Sequence, residues 1–452
     1  MCDEELNRDI DLISLPKKSF WKLSIPISIF LIFETFYSIV DMFWVSTISM
    51  EAAFAVGASA PVLLLISTFG DSIGQGTNSI MSRYIGSGDY ESSYNSLMHG
   101  ILVSFIIWIS IILSISLLDD LLFLMKIIDN QIYVLEYLNP LFFFSIVFIL
   151  ANVFCETLQS EGNSKTPVII LVLSNLLNLI LDPIFIYVFK MNIGGVANAS
   201  IISSLFGVLI FLYLYFNGKT KVPLSLKYFK FKFHILFEIF KVAIPNFIDD
   251  SISCILAMYI NSFLIIVLGE VGLILYAVSI KIRNLLRAPI KGLGRGLMSV
   301  TGHLYGAKKI DDLNKIYNYA LKYSIIISAV ISISFFFLSD EIYESFSIVN
   351  METSIFYIAI FGIILIMVYP FSYISIKVLN GFGKSYYALV FNILKVIFEL
   401  LFIFFLRNIF PNGASVLIGI TLGEVLFSIV YYITLKILFK RFEKNKESLV
   451  VT

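Results

Sequence analysis

Asp41, Asn178 and Asp182 are side chains that could bind a proton or a small hard cation. Asp41 stands in SIVDMFWV (38–45), within the largely apolar stretch from Ser24 to Ile48. A charge in hydrocarbon costs about 3 kcal/mol or more unless it is paired, hydrated or neutralised, so an acid there is a functional candidate by default. Asn178 and Asp182 are four residues apart and share one face of a helix. Two carboxylates brought together in a low dielectric cannot both ionise cheaply; they share a proton or hold a cation between them. Carboxylate and amide oxygens are also the donors that hard cations prefer. Two other readings stay open at this point. Asp41 could sit at a helix end in the headgroup layer, and Asp182, beside Pro183, could cap the end of its helix.

The elements that must position these residues are membrane-spanning helices. Of 452 residues, 58% are hydrophobic and 14% charged, against about 25% charged in soluble domains, and the mean hydropathy is +0.91. The excess apolar surface has to face lipid. A span needs about 20 apolar residues to cross a hydrocarbon core of about 30 Å. Twelve segments qualify, at 20–47, 53–79, 95–119, 132–158, 165–189, 194–216, 235–263, 268–292, 316–338, 350–379, 385–407 and 413–436. The eighth is the most polar, because SIKIRNLLRAPIKGLGRG carries five basic residues.

A net charge of zero conceals strong segregation along the chain. With both termini cytoplasmic, most of the 32 Lys and Arg residues fall in inner segments, while the outer loops hold Lys126, Lys190 and Arg407. The outer loop SDEIYESFSIVNMETS has four acids and no base. That bias follows the positive-inside rule and makes the even number of spans credible. The N-terminal MCDEELNRDIDLISLPKK is polar and acidic, unlike a signal peptide, so the first apolar segment is expected to stay in the mature protein. Cys2, Cys155 and Cys254 are isolated, as are His99, His234 and His303, which gives neither a disulfide framework nor metal-ligand spacing.

The halves of the sequence match each other across the basic linker FNGKTKVPLSLKYFKFKFH. KLSIP (22–26) aligns with KVAIP (241–245), which sets Pro26 over Pro245. GQG (74–76) aligns with GRG (294–296), and RYIGSGD (83–89) with HLYGAKK (303–309), both at an offset of 220. NLLNLILDPIFIYVF (175–189) aligns with NILKVIFELLFIFFL (392–406) at an offset of 217. Six spans per half is an even number, so the repeats are parallel. The expected fold is an all-α integral membrane protein: twelve transmembrane helices in two six-helix lobes, related by a pseudo-two-fold axis along the membrane normal. The lobes are residues 1–216 and 235–452, the second including a basic tail, joined by a cytoplasmic linker at 217–234. Parallel repeats of this kind commonly expose a substrate cavity alternately to each side, which argues for a transporter.

The duplication also tests the site. Asp41 maps onto Asn261, Asn178 onto Lys395 and Asp182 onto Glu399. The first half therefore offers two acids with no local base, and the second a Lys395–Glu399 pair whose charges can cancel. On this reading the first half is the proton or sodium site and the second its neutralised copy.

SIVDMFWVSTISMEAAFAVGASAP, GDSIGQGTNSIMSRYIGSGD, LQSEGNSKTP, NLLNLILDPIFIY and GGVANASIIS follow one another in the first half, and AIPNF, IKGLGRGLMSVTGHLYGAKK and VLNGFGKS in the second. On these motifs the chain resembles the MATE (multidrug and toxic compound extrusion) family. The first-half aspartate makes it look most like the DinF-like branch. The resemblance implies two six-helix lobes and export of drugs or metabolites against proton or sodium entry. It also implies that Asp41, Asn178 and Asp182 form the coupling site, extended to Tyr37 and Ser203.

Further candidates for an accessory role or for the substrate cavity are Glu34, Tyr137, Asp249 and Asp250. Glu34 lies two helical turns before Asp41 on nearly the same face and could relay protons or attract a cation. Consecutive helical residues point about 100° apart, so at most one of Asp249 and Asp250 faces a given cavity; both could equally be solvated near a helix end. GQG and GRG fit no dinucleotide fingerprint and read as sites of close helix packing. The resulting expectation is a monomeric plasma-membrane antiporter, not an enzyme. It would need no cofactor beyond H⁺ or Na⁺, work in lipid, and take an amphipathic or cationic organic substrate. A lipid or lipid-linked oligosaccharide flippase of the same superfamily is the alternative. Hydropathy excludes nucleic-acid binding, and no loop is long enough for a receptor domain.

Overall fold

The computed structural model describes the backbone of residues 12–118, 131–224, 227, 229–345, 352–407, 409 and 414–450. It also describes their side chains, apart from those of 39, 53, 117, 253–280, 340–345, 352–359, 414 and 445–450. Asn261, the second-half counterpart of Asp41, lies outside the described side chains.

The elements are helices α1 (Pro16–Ser46), α2 (Met50–Ser87), α3 (Tyr90–Leu113), α4 (Gln131–Phe143), α5 (Ser145–Ser160), α6 (Lys165–Pro183) and α7 (Asn192–Phe216). They continue with α8 (Phe233–Gly306), α9 (Ile310–Ser345), α10 (Glu352–Gly381), α11 (Ser385–Leu406) and α12 (Ala414–Val450). Among the described residues, nine helices are long and apolar enough to span a membrane, and α4 with α5 makes a tenth, bent by 51°. Helix α8 runs through both the seventh and the eighth expected spans as one continuous helix. Each of the twelve expected spans is thus helical over most of its described residues.

Apolar side chains such as Leu209, Tyr213, Val330 and Phe337 are more than half exposed, as lipid-facing positions require. Buried Ser and Thr side chains recur along the helices, and many return their hydroxyl to a carbonyl of the preceding turn, as Ser96 does to Ser92 at 2.7 Å. Such bonds satisfy those hydroxyls in a medium without water. At the α4–α5 bend, four residues past Pro140, the Phe143 carbonyl accepts the Trp108 indole N–H at 2.8 Å.

Equivalent turns in the two halves close in the same way. Gly88 has φ +80° and Lys308 φ +57°. At the first, Gly88 N–H donates to Ile85 O at 3.0 Å and Asp89 N–H to Tyr84 O at 2.9 Å; at the second, Lys308 N–H donates to Tyr305 O at 3.1 Å and Lys309 N–H to Leu304 O at 2.9 Å. Both are Schellman closures. A left-handed lysine is strained where glycine is not, so the turn has survived at a position whose sequence no longer favours it.

Packing divides the chain into two compact units, Ile29–Phe247 and Ile10–Ser28 with Ile248–Thr452. Helix α1 therefore gives its first half to the second unit, and α8 gives its first turns to the first. Small residues make both arrangements possible. In the first unit Gly76 of α2 lies against α8, where an added Cβ would come within 2.7 Å of Ile239 O and 3.3 Å of Ala243 Cβ. In the second unit Gly292 and Gly296 of α8 lie against Ser28 and Ser24 of α1, and a Cβ at Gly296 would come within 2.8 Å of Ser24 Cα. Ser24 and Ser28 also donate to the carbonyls of Leu293 and Pro289, at 3.3 and 3.0 Å. Helices without a hydrophobic drive between them associate through such close backbone approach. Gly296→Leu is therefore expected to lower stability by about 1–3 kcal/mol, whereas Gly57, which has nothing within 4 Å, should accept leucine without loss. Thermal melting of the two variants in detergent checks this; equal melting would refute the packing argument.

Candidate functional site

The first unit gathers the acids predicted from the sequence. Helix α6 ends at Pro183 and opens into a wider π turn, Ile184–Val188, where Phe189 N–H reaches back to Ile184 O at 3.0 Å. Proline has no N–H to continue the regular ladder, and single π turns of this kind are frequent at functional sites. Asp182, immediately before the proline, is fully buried at 0% exposure, and Asn178 one turn earlier at 1%. The second half of α1 presents Tyr37 and Asp41, both partly buried.

The carboxylates of Asp41 and Asp182 face each other within hydrogen-bonding reach. Asp41 Oδ1 is buried and has no hydrogen-bond partner of its own. Asn178 bridges the group. Its amide meets the Tyr37 hydroxyl, and its Nδ2 donates to Asp182 Oδ1 and Ser200 Oγ, both at 3.4 Å. With the amide turned over, the nitrogen donates to Tyr37 and to Asp182 Oδ2 at 3.2 Å, and the oxygen accepts the Ser200 N–H at 3.2 Å. Either orientation ties Tyr37 to Asp182 through Asn178. Buried Tyr137 of α4 lies within electrostatic reach of both acids. Beyond them, Thr47 Oγ1 and Tyr187 OH join α1 to the π turn at 2.6 Å.

The other predicted residues lie as follows. Ser203 is buried but turns its hydroxyl back to Ser200 O at 3.0 Å; Ser200, which the sequence reading did not single out, is the serine that meets Asn178. Glu34 is exposed and lies within electrostatic reach of Tyr37. Asp249 and Asp250 belong to the second unit. There Asp249 is within hydrogen-bonding reach of Asn392 and near Lys395, while Asp250 is exposed.

The second unit carries a different chemistry at the matching positions. Lys395 Nζ pairs with Glu424 Oε2 at 3.2 Å, and Ser372 Oγ donates to Glu424 Oε1 at 2.8 Å. Glu399 is 2% exposed and stands in the same electrostatic cluster as Lys395, Glu424, Arg283 and Arg287. The Arg287 guanidinium lies 4.1 Å from the Tyr369 ring centroid and donates to Leu365 O at 3.2 Å. Glu424 and Arg287 were missed from the sequence. Each is a charge inside an expected span, which was the available signal, but their partners come from other helices. Among the described residues, no group of three or more His, Cys, Asp and Glu side chains is disposed to hold a metal ion.

Comparisons with known proteins bear on the family and the fold. The family MatE matches residues 26–184 and 246–405, one stretch in each half. The multidrug export protein MepA of Staphylococcus aureus (strain NCTC 8325 / PS 47) is 24% identical over 298 residues, which is 65% of this chain and 65% of that protein. The matched stretch is thus under two thirds of the relative's length. A crystal structure of MATE in the bent conformation superposes with TM-score 0.92 at 26% identity, covering 97% of this chain and 98% of that one. An outward-facing multidrug resistance MATE family transporter of the MOP superfamily gives 0.90 at 26% identity, covering 96% and 98%. A MOP superfamily transporter from Pyrococcus furiosus, described as having a binding pocket of reverse polarity that suggests a different function, gives 0.91 at 26% identity, covering 96% and 98%.

Proposed function

The chain belongs to the MatE family, and from that premise we propose that it is a secondary antiporter. It exports amphipathic or cationic organic compounds in exchange for H⁺ or Na⁺ by alternating access. The single observation that carries the coupling site is the facing pair Asp41 and Asp182, with a buried, unpartnered Asp41 oxygen between helices α1 and α6. Two such carboxylates can share one proton, or hold one Na⁺ with the Asn178 and Tyr37 oxygens completing a set of hard donors. The balanced charges around Lys395 support the complementary reading, that the second unit does not bind the ion.

Ion entry and substrate exit are linked by a difference in affinity between the two states, without which no ligand can shift the equilibrium. The ion at Asp41 and Asp182 favours the state that releases substrate; its departure restores the state that takes substrate up. The distribution of Lys and Arg supports cytoplasmic termini; the reading is completed by a multi-pass protein of the plasma membrane that works as a monomer with no cofactor.

The test is ethidium export from proteoliposomes under an imposed pH or sodium gradient. The native chain is expected to respond to one gradient, which identifies the ion, and Asp41→Asn to lose that response. A variant that still couples fully would remove Asp41 from the mechanism. No ethidium movement by the native chain under either gradient would refute the proposed substrate class and favour the lipid-flippase alternative.

A further inference from the structure

A second site is built into the opposite unit, where α1 and α9 begin. A cavity of about 370 Å³ is lined there by Ser14, Leu15, Pro16, Lys17, Lys18, Asp312, Lys315 and Ile316. Its walls come from Leu15, Pro16 and Ile316, and its rim carries three lysines against one aspartate. Lys17 and Lys18 are exposed. Lys17 Nζ lies 5.0 Å from the Tyr319 ring centroid. Lys315 Nζ is 3.4 Å from Asp312 Oδ1, but its side chain is 73% exposed, and ion pairs so exposed are weak enough to exchange for another anion.

The level of this cavity matters as much as its charge. Both bounding helices are candidate spans, Pro16–Ser46 and Ile310–Ser339, and the cavity lies in their first turns. It therefore stands where hydrocarbon gives way to headgroups. Trp21, one turn further along α1, donates to Tyr319 OH at 3.1 Å, an amphipathic pair of the kind enriched at that level. An apolar floor beneath a cationic rim matches a molecule with an anionic head and an apolar root. Basic pockets between spanning helices bind acidic lipid headgroups for that reason.

We propose that this cavity binds the headgroup of an acidic phospholipid, with its phosphate held by Lys17, Lys18 and Lys315 and its glycerol end against Leu15, Pro16 and Ile316. The site is independent of the transport reading, since it requires only that the chain lies in a membrane. Lipid is taken as the source rather than free phosphate because the cavity is walled by apolar side chains at the membrane surface.

Trp21 supplies a reporter, since the chain has three tryptophans and the other two, Trp44 and Trp108, lie in the first unit. A Trp44→Phe/Trp108→Phe chain is reconstituted in phosphatidylcholine vesicles containing increasing brominated phosphatidylglycerol or brominated phosphatidylcholine. Quenching of Trp21 is expected to favour phosphatidylglycerol by about fivefold or more, the size expected for even one lysine near the surface. Lys17→Gln, Lys18→Gln and Lys315→Gln together should abolish the preference, and Lys18→Gln or Lys315→Gln alone should reduce it. Lys308→Gln/Lys309→Gln, on the same unit but outside the cavity, should leave it intact, and soluble glycerol 3-phosphate should not displace the lipid. Equal quenching by the two lipids would overturn the proposal. So would a preference that survives the lysine changes, one lost equally at Lys308 and Lys309, or one abolished by the soluble phosphate. If the triple variant does not fold, the single variants decide.

Discussion

Asp182→Asn is expected to reduce gradient-driven export at least tenfold, as Asp41→Asn should, and the double variant is expected to be no worse than either single one. The reason is that the two carboxylates would serve one ion. Removing either leaves the other without its partner, and losing one charge-assisted ligand is worth about 1.5–3 kcal/mol, which is tenfold or more in a constant. Residues that act as a unit show losses that do not multiply. Flux measured under the effective gradient in all four chains forms a double-mutant cycle. Losses that multiply in the double variant would mean two separate sites and would sink the shared-ion proposal.

The second large effect concerns stability. Lys395→Met is expected to cost about 3–5 kcal/mol, the usual penalty for stranding one member of a buried ion pair. It leaves Glu424, whose side chain is 7% exposed, with the Ser372 hydroxyl as its hydrogen-bond donor at 2.8 Å. Adding Glu424→Gln to the same chain should recover most of the loss, since an apolar and a neutral polar group replace the pair together. Thermal melting in detergent reads both. If Lys395→Met melts with the native chain, the ion pair is not a structural element of the second unit.

Hydropathy made the spans legible because lipid imposes its demand on every exposed residue, and the duplication was legible because small residues and turns recur at fixed offsets. The pairing of Asn178 with Asp182 follows from helical spacing alone. That Asp41 would face Asp182 does not, since 141 positions separate them; it came from comparing the halves and from the family resemblance. Ser200 stayed hidden behind Ser203 because the two hydroxyls differ only in which way their helix turns them. Glu424 was hidden for a related reason. The reading paired Lys395 with the acid four residues away on its own helix, whereas its ion-pair partner lies on α12. The π turn after Asp182 was signalled only by Pro183, a residue that often ends a helix outright.

The exchange of helix halves bears on how the chain is made. Ser24 and Ser28 leave the ribosome early, yet the glycines they pack against, Gly292 and Gly296, follow more than 260 residues later. At about 5–20 residues per second of synthesis, the start of the first helix waits on the order of tens of seconds for its partner. Over the same interval the first unit remains without Ile239 and Ala243, the residues that close over Gly76. A nascent chain stalled in the linker would hold two unfinished lobes rather than one finished lobe and one absent. The basic linker separates the repeats in the gene, but it is not a seam at which the folded protein can be assembled from parts one after the other.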